Sequence, residues 1–195
     1  MSATKHFLSD IQLDSLYQQS EGNPDIVVAI IDGAVDGSHD DLKSASLTVL
    51  NNNGATLGAS CSAKDSPSCQ HGTFVAGILA ADRESEAPGI CPQCSFVSRP
   101  IFCEANNLSQ CPAVTQTELA TAVRDAIDAG ANIINMSIGL SGKNTPVSAP
   151  LRQAYDQAEA AGVLLVGASG NQASEQVNSI FQHPWVIAVS AMDQQ

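Results

Sequence analysis

Asp25-Ile26-Val27-Val28-Ala29-Ile30-Ile31-Asp32 is an apolar, largely β-branched run that closes on a carboxylate. Polar and apolar residues do not alternate along it, so neither side of the extended chain can face water. That is the pattern of a strand buried on both faces of a parallel sheet. Working outward, residues 95–102, 131–137, 163–166 and 186–189 have the same character and read as further buried strands. Between them lie helical patterns at 72–81, 117–129 and 149–161, the last two ended by Gly130 and Gly162. Leu8, Ile11, Leu13 and Leu16 are spaced as a short amphipathic helix ahead of the first strand, with Ser9 or Asp10 as its cap. Strands separated by helices predict an α/β fold: a doubly wound parallel sheet with helices on both faces. We expect one domain over 1–195, with a helical segment at 1–24 and the α/β core at 25–195.

Composition narrows the function. The chain has 195 residues, 44 % of them hydrophobic, and a formal charge of −12 with only eight Lys and Arg. Nucleic acid and anionic membrane surfaces are excluded as partners, because both need clustered cations. No apolar run approaches membrane-spanning length. The N-terminus, Met1-Ser2-Ala3-Thr4-Lys5-His6, lacks a leader-like apolar segment and is followed by Asp10 and Asp14. A cytoplasmic location is expected. Six cysteines keep a secreted one open: Cys61 with Cys69, Cys91 with Cys94, and Cys103 with Cys111 form three close pairs in sequence order. Such spacing permits three local disulfides, and plain thiols fit equally. Cys91-Pro92-Gln93-Cys94 has half of a zinc-ribbon pattern, but no second CxxC or HxxxH completes it.

In a doubly wound sheet, function collects beyond the carboxyl ends of the strands. Polar residues interrupt the chain there at Asp32-Gly33, Ser137-Ile138-Gly139 and Ser169-Gly170-Asn171. Three segments carry more than position. They are Ile31-Asp32-Gly33-Ala34-Val35-Asp36, Gln70-His71-Gly72-Thr73-Phe74-Val75-Ala76-Gly77-Ile78, and Gly167-Ala168-Ser169-Gly170-Asn171. In that order they resemble the aspartate, histidine and oxyanion-asparagine motifs of the subtilisin family of serine proteases. Asn135-Met136-Ser137-Ile138-Gly139 is similar to that family's substrate-binding strand. The resemblance runs from about Asp25 to Met192.

The chemistry explains the residue types. A serine hydroxyl is a poor nucleophile at neutral pH and needs a base within hydrogen-bond reach. The resemblance makes His71, at the first turn of its helix, that base. Asp32 would accept the other imidazole N–H, and the Asn171 amide would meet the developing oxyanion. Ser137, Ile138 and Gly139 would pair with an extended peptide substrate, with Gly167, Ala168, Ser169 and the loop from Gln172 to His183 completing the specificity pocket. Glu175 in that loop would favour a basic side chain.

The chain departs from the family pattern in three places. Gly33 follows the aspartate where Ser or Thr is usual, and Phe74 replaces the second histidine of HGTHVAG. No Gly-Thr-Ser, the family's nucleophile motif, occurs before Gln195. The expected partners are therefore a peptide or protein substrate and a C-terminal remainder of the peptidase domain carrying the serine. The alternative is a catalytically inactive, peptide-binding module. No cofactor is expected. Asp36 and Asp41 read as loop caps, with calcium ligation, as in some relatives, the other reading. His6, His39 and His183 read as surface or packing residues. Asn23-Pro24-Asp25 leading into Ile31–Asp36, and the segments around Gly89-Ile90-Cys91 and Arg99-Pro100-Ile101-Phe102, are similar to cyanobactin-maturation proteases. That likeness implies trimming of precursor peptides.

Overall fold

A computed structural model describes residues 13–51, 54–57, 61–105, 111–138, 146–169 and 183–191. Seven strands form one sheet: β1 (Val27–Asp32), β2 (Ser46–Asn51), β3 (Gly54–Leu57), β4 (Ser95–Pro100), β5 (Ile133–Met136), β6 (Leu164–Ala168) and β7 (Val186–Val189). Their order across the sheet is β3-β2-β4-β1-β5-β6-β7. Six strands run parallel, and β3 pairs antiparallel with β2 at one edge. The helices are α1 (Asp14–Gln19), α2 (Pro67–Ala80), α3 (Gln116–Asp128) and α4 (Ala149–Ala160).

β1 stands inside the sheet, between β4 and β5, and its residues divide strictly by parity. Ala29 and Ile31 join a core with Leu119, Val123, Leu151 and Tyr155 of α3 and α4. Val28 and Ile30 join a second core with Ala76 and Ala80 of α2. Both sides are dry, which is why the run carries no polar residue. Each such fully buried aliphatic side chain stabilises the fold by about 1.5–3 kcal/mol. Asp32 keeps the even parity and so emerges on the α2 side, at the strand's carboxyl end.

Helix starts follow local chemistry. Thr115 and Glu118 form a reciprocal capping box at α3. Ser66 accepts the Cys69 N–H and Pro67 occupies the first turn of α2. That helix therefore starts five residues before the expected Gly72, and His71 lies in its second turn, not its first. The helix expected ahead of the first strand falls mostly outside the described residues. The first described helix, α1, has no side-chain cap and buries none of its residues, and Arg83 packs against it. The Arg83 guanidinium lies 3.5 Å over the Tyr17 ring and donates to the carbonyls of Tyr17 and Ser20. Ser9 and Asp10 lie outside the described residues. No described helix is long and apolar enough to cross a membrane.

Candidate active site

His71 Nδ1 stands 2.7 Å from Asp32 Oδ1. The same oxygen accepts the Gly33 N–H at 2.5 Å. Asp32 is fully buried, whereas the His71 side chain is 53 % exposed. Burial is the main influence on Asp32 and pushes its carboxyl above the usual carboxylate range. The His71 and Gly33 hydrogen bonds pull the other way without overcoming it. With the carboxylate accepting at Nδ1, the imidazole's free lone pair is left on Nε2. A half-exposed base, oriented from behind by a buried acid, is an arrangement able to take a proton from a hydroxyl brought to its open side.

Two glycines bring these residues together. A Cβ on Gly33 would collide with the Ser68 carbonyl, and one on Gly72 with the carbonyls of Gly33 and Ala34. The backbone of α2 thus lies directly against the turn that follows β1. Any side chain at 33 would push the helix away, which accounts for glycine where the family usually has Ser or Thr. Thr73 fixes the same approach by accepting the Asp36 N–H at 2.9 Å.

A cavity of about 280 Å³ opens beside the pair. Asp32, His71, Ser137 and Ile138 line it together with Pro67, Ser68, Phe102, Cys103, Cys111 and Pro112. Ser137 and Ile138 therefore share this cavity with Asp32 and His71. Gly167, Ala168 and Ser169 end β6, one strand further along, with Met136 paired to Gly167. They do not line this cavity. Ser169 instead donates its N–H to the Val189 carbonyl at 2.8 Å. Gly139, Asn171, Glu175 and His6 lie outside the described residues.

The wall formed by Phe102, Cys103, Cys111 and Pro112 was missed in the sequence, and its signal was the cysteines. Disulfides join Cys61 to Cys69 and Cys103 to Cys111. Cys91 and Cys94 are free thiols. Burial first, then Cys94, pushes the Cys91 thiol up to about 12. The three in-order pairs thus resolve into two disulfides and one pair of free thiols.

Among the described residues, Asp36 and Asp41 belong to no cluster of three or more potential metal ligands. Asp36 already pairs with the Lys64 ammonium at 2.7 Å and accepts the Ser38 N–H and hydroxyl. These bonds, Lys64 first, hold its carboxyl below the usual range. It is a loop tie. His183 is a packing residue: it lies buried, 3.0 Å from Asp156 through Nε2, and accepts the Trp185 N–H.

On the α2 side, the covering layer is incomplete. Leu164, Ile187 and Val189 are 42 %, 49 % and 51 % exposed, and Phe74 and Ile78 of α2 are 67 % and 41 % exposed. A groove of about 630 Å³ runs along α2 past Phe74, Ile78, Leu42 and Lys64.

Comparisons with known proteins agree with this geometry. The family described as "Subtilase family" matches residues 23–195. Subtilisin DY of Bacillus licheniformis is 29 % identical over 188 residues, covering 94 % of this chain and 62 % of that protein. A mutant of the protease domain of PatA superposes with a TM-score of 0.77 at 37 % identity, over 88 % of this chain and 59 % of that one. The prenylagaramide maturation protease PagA gives 0.77 at 33 % identity, over 92 % and 58 %. The chain thus spans about six-tenths of the length of these relatives.

Proposed function

Because this chain belongs to the subtilase family, we propose that it supplies the acid–base half of a serine endopeptidase. The observation that carries the reading is the 2.7 Å contact between buried Asp32 and half-exposed His71. In the proposed reaction, His71 Nε2 takes the proton of a serine hydroxyl as its oxygen attacks the scissile carbonyl. Asp32 holds the imidazole in the correct tautomer and stabilises the imidazolium that forms. The Asn171 amide donates to the oxyanion. His71 then returns the proton to the leaving amine, and water repeats the sequence to release the acyl product. The substrate backbone adds as a strand along Ser137, Ile138 and Gly139, with its side chains directed to the cavity and to Gly167, Ala168 and Ser169.

The serine comes from polypeptide beyond these 195 residues, seated on the open face of β6 and β7 and against α2. One observation supports this. Leu164, Ile187 and Val189 of β6 and β7 are exposed, as are Phe74 and Ile78 of α2, the helix that carries His71. Large exposed apolar patches mark interaction surfaces. Precursor-peptide maturation is the substrate class we infer, from the likeness to the maturation protease PagA and to PatA.

The test is peptide hydrolysis by the full gene product, with His71→Ala as the control. Hydrolysis that His71→Ala abolishes supports the reading. Full-length material that binds peptide without cleaving it overturns the reading in favour of a binding module.

A further inference from the structure

The cavity beside His71 is a seam between two separately stapled loops. Cys61–Cys69 closes one, and Pro67, Ser68 and His71 continue from it into the cavity. Cys103–Cys111 closes the other, whose Cys103, Cys111 and Pro112 form the facing wall. Each disulfide spans a sequence separation of eight within its own loop. Neither joins the two loops, so their spacing rests on non-covalent contacts.

Among the described residues, two hydrogen-bonded contacts join the loops. Ser68 Oγ donates to the Cys103 carbonyl at 2.8 Å, a bond that any residue at 103 would accept. The other is specific to one side chain. The Glu104 carboxylate accepts the Ser62 N–H at 3.0 Å to each oxygen and the Ser62 hydroxyl at 2.5 Å. Ser62 and Glu104 each sit one residue past a half-cystine of its own loop. The carboxylate therefore bridges the two staples at their roots, where a shift passes directly into Cys69 and, two residues on, into His71.

We propose that Glu104 is a positioning residue that latches the Cys103–Cys111 loop onto the Cys61–Cys69 loop and so fixes the width of the cavity beside His71. The latch stands on geometry alone. Its consequence for substrate rests on the peptidase reading. A charge-assisted bond to two donors is stronger than a neutral one, and small displacements of a binding wall weaken substrate positioning steeply.

The test separates the two. In the full gene product, reduction of each disulfide by a water-soluble phosphine is followed by differential alkylation and mass spectrometry. Glu104→Ala should speed reduction of both disulfides about tenfold, whereas Glu104→Gln, which keeps an accepting oxygen, should stay within about threefold of the parent. Cys103→Ser with Cys111→Ser should speed reduction of Cys61–Cys69 in the parent, with no added effect on Glu104→Ala. Equal rates in the parent and Glu104→Ala overturn the latch, whatever the protein does to peptides. Ser62→Ala, which removes only the hydroxyl donor at an exposed position, should give about a threefold increase and covers the case in which Glu104→Ala does not fold. With a peptide substrate, Glu104→Ala should raise KM about tenfold with kcat within about twofold. A fall in kcat at constant KM would contradict a role in cavity width. An inactive parent counts against the peptidase reading and leaves the reduction rates to decide the latch.

Discussion

The two faces of the sheet are built to different degrees. On one, α3 and α4 cover β1, β5 and β6: Ile31, Ile134, Met136 and Leu165 are fully buried. On the other, α2 covers β1 and β4 and then stops. The next residues on that side, Leu164, Ile187 and Val189, stay open, and α2 itself shows Phe74 and Ile78 to solvent. Asp32 and His71 stand on this second face, at the margin between covered and uncovered sheet. The sealed face holds the fold together. The open face carries the Asp32–His71 pair and leaves apolar side chains exposed on the same side.

The largest effect should come from the edge of the open face. In the active full-length protein, His71→Ala should lower kcat by about 10⁶, the loss known for the same change in subtilisin itself. Asp32→Asn should cost about 10⁴ by leaving the imidazole in the wrong tautomer. Steady-state peptide hydrolysis checks both, and a loss under tenfold for either would break the assignment.

Adjacent leucines sharpen the contrast between the faces. Leu165→Ala, on the sealed side, should cost about 2–5 kcal/mol in urea unfolding. Leu164→Ala, on the open side, should cost under about 1 kcal/mol in the 195-residue chain, provided that chain folds alone, and clearly more in the full-length protein. Equal costs for Leu164→Ala in the two settings would mean that nothing covers that face.

The smallest effect is a pH signature. Burial raises the Asp32 carboxyl above its ordinary value of 3.8, so the folded chain keeps this proton to higher pH than the unfolded chain does. Ionising it therefore costs stability. Relative to Asp32→Asn, the parent should lose stability as pH climbs from 3.8 through the raised native value, and the difference should then stay constant. Unfolding midpoints of the two proteins against pH would show it. A difference growing in the opposite direction would mean that the His71 bond outweighs burial.

What was legible in the sequence follows from the same contrast. The run through Ile26–Ile31 announced a strand because burial on both faces leaves no room for a polar residue. Part of the histidine motif has a backbone reason: a Cβ on Gly72 would meet the carbonyls of Gly33 and Ala34. The antiparallel β2–β3 pair was missed: Ser46-Leu47-Thr48-Val49-Leu50-Asn51 is half polar, as suits the rim of the sheet, although the Asn-Gly that follows is a turn signal. The true start of α2 was written in Ser66-Pro67, a cap and first-turn pair outweighed by the HGT motif downstream. The far wall of the cavity was illegible for a physical reason. Its approach to α2 depends on contacts such as Ser68 to Cys103, 35 residues apart, and no local pattern encodes them. Spacing alone likewise did not separate the two disulfides from the dithiol at Cys91 and Cys94.

The most direct test of the account is the site of covalent labelling by a fluorophosphonate probe in the full gene product, read by peptide mass spectrometry. The account predicts one labelled serine outside residues 1–195, with labelling lost in His71→Ala. Label on Ser137 or Ser169, or none in a folded full-length protein, would contradict it.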